Sequence, residues 1–281
     1  MSFTKQKKFK PLQARRKKLV LVTLVLCLLM CCGFFVLQQN LRHSSHWSGY
    51  TLLASLFFLA AFNLRKKLPF LPMLGSAAMW MQIHIYVALS TFLMFGFHVS
   101  WQIPNGMFES FLSALYLTVA GSGIYGLYIT RVLPKRLTAI SEEIIFERIP
   151  QFRAQIAGQA KLLALECSGS SDVIPKFYLR KLLPFFERRR SLAYLVYPSG
   201  RRRRQLVREL KGLDRYLEKD QRSVNQQLTK FVNQKDDLDY HYAIQGRLKI
   251  WLFVHIGLTY GLLAAAVMHG IMAHAFGGGL R

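Results

Sequence analysis

Cysteine and acidic residues are both scarce in this sequence. Four cysteines occur in 281 residues, at 27, 31, 32 and 167. Three lie inside one apolar run and the fourth in a polar region, so the spacing implies no disulfide framework. There are only 14 Asp and Glu against 38 Lys and Arg, a formal net charge of +24. Thirteen of the 14 acidic residues fall within 131–249, and the exception is Glu109. A cation pathway through a bilayer needs carboxylates at membrane depth, and the apolar blocks supply almost none. A phosphate-binding glycine loop is also absent. Gly121, Ser122, Gly123 and Gly126 stand in apolar surroundings with no strand before them, where small residues serve close helix packing. The run Arg201–Arg204 lacks a recognisable nucleic-acid module, so no nucleic-acid partner is expected.

Apolar residues are abundant instead, at 52% with 21 Phe and 12 Tyr, and they gather in long blocks. That distribution predicts an all-α protein, a five-span transmembrane helical bundle with a helical cytoplasmic insert between spans 4 and 5. The organisation reads as a basic N-terminus (1–18), spans 1–4 (19–130), a basic helical insert (131–249) and span 5 with the C-terminus (250–281). Span 1 covers 19–37. It is too long for a signal-peptide core and no A-x-A-like site follows, so it is read as retained. Met30 is not small, which argues against lipoprotein processing at Cys31. A polar turn follows, with His43 and His46 read as solvated loop histidines in preference to a surface metal site.

Span 2 covers 47–64, and Pro69 and Pro72 break the chain after it. Span 3 is 76–101, span 4 is 108–130 and span 5 is 250–276. In the insert, Leu210, Leu217, Val224, Phe231 and Leu238 recur every seven residues, with Leu206 and Leu213 beside them. They predict one amphipathic helix leading into span 5, packed on a partner helix that Ser141 would cap. A hairpin within the chain is preferred to a coiled coil between subunits.

The positive-inside rule sets the orientation. Segments 1–18, 65–75 and 131–249 hold 36 Lys and Arg, against Arg42 and Arg281 on the other side. The N-terminus is therefore expected in the cytoplasm and the C-terminus outside, in a bacterial-type inner membrane.

Four histidines then stand out. Span 3 has no charged residue but carries His84 and His98, and span 5 carries His255 and His269. Each pair is 14 residues apart. At roughly 100° per residue that is about 40° short of four turns, so both rings leave one face, ~21 Å apart along the axis. Spans 3 and 5 run the same way, so His84 is level with His255 and His98 with His269. Two such columns can clamp two flat ligands stacked through the bilayer, and haem iron takes one imidazole on each side. The expected cofactors are two haem b, the inner iron on His84 and His255 and the outer on His98 and His269. No C-x-x-C-H occurs, so ligation and packing alone would hold them. No catalytic residue is assigned. His274 stands about 100° off the His255 face and is left out of the ligand set. Arg131, Arg247 and Lys249 on the inner side, and Arg42 and Trp101 on the outer, are candidate partners for haem propionates.

Two H-x13-H helices resemble those of transmembrane dihaem b-type cytochromes. That group includes cytochrome b of quinol-oxidising complexes and the b561-like and ferric-reductase-like membrane cytochromes. The stretch KDDLDYHYAIQGRLKIWLFVHIGLTYGLLAAAVMHG is similar to the last helix of bacterial dihaem cytochromes that serve larger electron-transfer chains. The resemblance covers spans 3 to 5. It implies electron transfer as the membrane subunit of a redox complex in a respiratory chain, with quinone as a further exchange partner. Any oxidoreductase activity would be shared with partner subunits. The P-E-W-Y quinol-site motif and a flavin or nicotinamide domain are missing, and the insert matches no catalytic domain. Other readings are a membrane anchor whose basic insert recruits a partner, a histidine-based metal transporter and a proton relay. Anionic lipid is the first expected contact of the insert, ahead of an acidic redox partner.

Overall fold

The computed structural model describes residues 44–66, 77–138, 145–166, 172–188 and 190–276, and seven helical positions between 21 and 36. The rest of span 1, the Pro69–Pro72 break, Arg42, His43 and the Ser141 cap lie outside the described residues, as do Cys27, Cys31 and Cys167. Among the described residues there is no strand, and the regular structure is helical. Three helical stretches are long and apolar enough to cross a membrane: Met79–His98, Met107–Leu137 and Lys219–Phe276. A fourth, His46–Phe62, is apolar but shorter. The chain divides into two compact units, 1–121 with 256–281, and 122–255.

In the first unit, α1 (Ser44–Lys66) and α2 (Ala77–His98) pack side by side. They are antiparallel, because Ser48 meets His98 at one end and Phe62 meets His84 at the other. On α1, Ser48, Leu52 and Leu56 follow one another at four-residue intervals and are buried. That spacing puts them on one helix face. Leu52 and Leu56 join Tyr116 and Leu262 in a core completed by Met94, Phe95 and Leu112. Tyr116 belongs to α3 (Met107–Thr138) and stacks on Phe95 with ring centroids 4.2 Å apart. Its hydroxyl donates to Thr91 Oγ1 at 3.1 Å, giving a buried polar tip a partner. Outward-facing Phe57, Leu89, Phe92, Phe111 and Leu117 are exposed. Helices apolar on both faces suit a hydrocarbon solvent.

The expected limits of the spans move for identifiable reasons. α1 begins at Ser44, so His46 is helical and does not lie in a loop. α2 stops at His98, short of Trp101, because Ser100 and Trp101 take φ values of 53° and 54°. This left-handed pair ends the helix, and the Trp101 amide returns to the Gly96 carbonyl at 2.9 Å. The indole then covers Gly96, where a Cβ would come within 2.6 Å of it. α3 continues past 130 to Thr138 with Pro134 inside it. One lost backbone bond does not end so long a helix.

The second unit is built on α4 (Ile149–Glu166), α5 (Val173–Phe177), α6 (Leu183–Glu187), α7 (Leu192–Val196), α8 (Arg201–Leu213) and α9 (Lys219–Phe276), with a π-helical segment Tyr178–Leu182 between α5 and α6. Its core gathers Ala160 and Ala164 of α4, Leu182, Phe185 and Phe186, Leu206 and Leu210 of α8, and Leu228 and Val232 of α9. The seven-residue leucine series is therefore split between two helices. A 3₁₀ turn, Asp214–Tyr216, separates them, and Leu217 is buried in the connection. Buried Asn225 of α9 donates to the Leu210 carbonyl at 2.7 Å and to Asp214 Oδ1 at 2.6 Å. It satisfies a carbonyl at the C-terminal end of α8, where the helix can offer no amide. Ala160 and Ala164 of α4 pack into the same core as Leu206, Leu210 and Leu217 of the series. α9 then runs unbroken for 58 residues into the last apolar stretch.

Candidate functional site

The four ligand candidates lie on α2 and α9. Both α2 histidines face α1. The His84 ring is 5.1 Å from Phe62 between centroids, and His98 Nδ1 is 3.0 Å from Ser48 Oγ. A common neighbour on both rings is what the 14-residue spacing requires. Gly49 adjoins Ser48, and a Cβ there would lie 3.1 Å from His98 Cε1. A side chain at 49 would thus crowd the imidazole.

His98 and His269 come together in the first unit. Their ring centroids are 6.3 Å apart and their planes are 89° to one another. A metal bonded to both imidazoles at roughly 2 Å would hold the centroids about 6 Å apart. Ser48 meets His98 at Nδ1, so an iron would be bound through Nε2. Phe108 lies along His269 at 6.3 Å and 28°. Among the described residues no three His, Cys, Asp or Glu side chains converge. What the pair itself offers is two imidazoles at the spacing of axial ligands on one metal.

His84 falls in the first unit and His255 in the second. Within its own unit, His255 has a close-fitting seat. Its Nδ1 is 2.5 Å from Ser122 Oγ, and Trp251 stacks on its ring at 5.5 Å and 21°. The Trp251 indole donates to the Ser122 carbonyl at 2.9 Å. Gly126 makes this possible, since a Cβ there would fall 1.7 Å from Trp251 Cζ2. Gly123 passes 3.6 Å from His255 Cε1 by the same measure.

One local arrangement therefore occurs twice. A Ser-Gly dipeptide on a neighbouring helix, 48–49 or 122–123, holds a histidine by Nδ1 and leaves no side chain against Cε1. Such contacts fix the tautomer and orientation of a ligating imidazole. Sequence reasoning singled out the histidines and gave neither serine a role beside them. The available signal was the Ser-Gly pair recurring inside apolar helices.

His274 packs on α1. It stacks on Tyr50 at 5.7 Å, hydrogen-bonds to the Tyr50 hydroxyl, and has His46 at 6.1 Å. Two of the inner candidates for propionate contact have protein partners. Arg247 donates to the Leu195 and Val196 carbonyls, and Lys249 reaches Glu147 at 2.5 Å. The Lys249 ammonium holds the exposed Glu147 carboxyl below its ordinary value. Trp101 is folded on Gly96.

No protein-family model, curated protein or solved structure matches the chain.

Proposed function

We propose that the protein transfers electrons across a membrane through two b-type haems, as the membrane subunit of a larger redox system. The observation that carries this reading is the His98–His269 pair, with rings at a metal-bridging separation and His98 held at Nδ1 by Ser48. His98 and His269 would hold the outer iron, and His84 and His255 the inner. When bound, haem iron supplies a one-electron carrier that imidazole on both faces closes to other ligands.

The chain's own residues do the rest. Ser48 and Ser122 orient two of the imidazoles. Trp251 braces His255. The apolar helices exclude water from around the imidazoles. Spans 1 to 5 would run with the N-terminus in the cytoplasm of a bacterial cell and the C-terminus outside. Redox proteins at either face, and quinone within the bilayer, are the partners this function calls for.

A visible spectrum of the full chain produced with ample haem tests the proposal. A Soret band and two haems per chain are expected. A colourless protein would return the chain to the anchor reading, and metal uptake by a colourless protein in proteoliposomes would favour transport.

A further inference from the structure

The second unit carries exposed apolar side chains that its core does not use. Leu192, Val196 and Tyr197, on and just after α7, are 80%, 70% and 83% exposed. Three such residues in six positions would be costly to leave in water. Their place along the chain is pinned. Arg247 of α9 donates to the carbonyls of Leu195 and Val196. Only three residues further, at Ile250, α9 becomes apolar and enters its membrane-length stretch. Three residues are ~4.5 Å along a helix axis. The apolar tips are therefore tied to the level where the hydrocarbon of a bilayer would begin.

The exposed charges flanking them along the chain are mainly arginine, and the exposed Glu147 near this level of α9 is already paired with Lys249. Arg188 precedes the segment, and Arg201 and Arg204 follow it, all exposed. Their nearest acidic neighbours in sequence, Glu187 and Glu209, lie outside the segment they bracket. Apolar tips with an exposed tyrosine, framed by arginines, match the interface of a membrane bearing anionic headgroups. A protein partner would not need these tips at the base of a membrane helix.

We propose that Leu192, Val196 and Tyr197 insert into the headgroup–acyl boundary of an anionic bilayer, with Arg188, Arg201 and Arg204 on the lipid phosphates. The contact fastens the helical unit to the membrane surface at a point besides α3 and α9. It does not depend on haem.

The test uses the full chain with its four cysteines replaced by serine, in lipid nanodiscs of phosphatidylcholine alone or mixed equally with phosphatidylglycerol. Nitroxide labels are placed by L192C, V196C and Y216C. Tyr216 is also exposed, at 77%, but precedes the start of α9 at Lys219. That is about 46 Å of helix below Ile250. In anionic discs the labels at 192 and 196 should lose access to a water-soluble relaxant and gain access to oxygen, while the label at 216 stays water-accessible. R201Q/R204Q should weaken that protection and leave the helical content unchanged. Labels at 192 and 196 as wet as the label at 216 would overturn the proposal. Equal protection in neutral and anionic discs would overturn it as an anionic-lipid contact.

Discussion

The apolar helices and the helical unit solve the same problem, a polar side chain out of water, in opposite ways. Along the apolar helices, polar side chains meet one another in pairs without a formal ion: Ser48 with His98, Thr91 with Tyr116, Ser122 with His255. Around α4 and the first half of α9, besides buried Gln221 and Asn225, charged side chains are buried and meet in a cluster. Asp239, fully buried, takes Arg153 at 2.6 Å, Arg190 at 2.7 Å and Lys235 at 2.6 Å. Asp236 takes Arg190 at 2.6 Å. The ring of Phe185 lies under both Arg190 and Lys235. A lone charge in hydrocarbon costs far more than a hydroxyl, and the buried ions among the described residues occur only where several share one carboxylate. The neutral pairs orient single rings. The ionic cluster ties α4, the segment before α7 and α9 to one carboxylate.

The largest expected effect breaks the neutral side of this contrast. Replacing His98 or His269 by alanine should remove the outer haem and spare the inner, and replacing His84 or His255 should do the reverse. Pyridine haemochrome titration against protein counts the haems, and a count of two after any one change rejects the ligand assignment.

The next breaks the ionic side. D239N leaves three cations without their shared carboxylate and should cost about 3–5 kcal/mol in thermal or denaturant unfolding. K235M should cost much less, since Asp239 keeps both guanidiniums. Burial pushes the Lys235 amine below its ordinary 10.5, against the pull of Asp239. The unfolded chain then holds that proton more tightly, so this group makes stability rise with pH from its lowered folded value up to 10.5. K235M should flatten that rise, and an unchanged slope would mean that Lys235 is not what titrates.

A third contrast uses one substitution at two glycines. G126A drives a methyl into Trp251 and should destabilise by about 1–3 kcal/mol, disturbing the His255 seat. G158A, at an exposed α4 position with nothing within 4 Å, should stabilise by about 0.5–1 kcal/mol. Opposite signs in the unfolding midpoints are the expected result. The smallest effect is the loss of one neutral pair. S48A or S122A should cost about 1 kcal/mol. Without its acceptor the imidazole donates less to iron, so a redox titration should show the corresponding haem easier to reduce, with S48T restoring the original value.

The apolar stretches were legible in the sequence because twenty residues without charge admit few other readings. The shared face of His84 and His98 followed from spacing alone, and both rings do contact α1. The leucine series misled because its period survives the turn at Asp214–Tyr216. α8 and α9 bury successive members of it in one core, so the stripe continues where the helix does not. The roles of Ser48 and Ser122 were invisible for a different reason. A hydroxyl in an apolar helix has no periodic signature, and its partner comes from another helix at a sequence distance that nothing local encodes. The ionic cluster was hidden likewise, because Asp236 and Asp239 resemble a solvated surface until Arg153 and Arg190 arrive from elsewhere.

The fit of Trp251 over Gly126 has an evolutionary corollary. The indole leaves room for a hydrogen atom and nothing larger, so the two positions cannot drift independently. Related chains should carry S-G-x-x-G on one helix together with W-x-x-x-H on another, and a lineage that loses the glycine should surrender the tryptophan too. That joint fingerprint spans two segments more than a hundred residues apart. It could recover distant kin where overall likeness has faded.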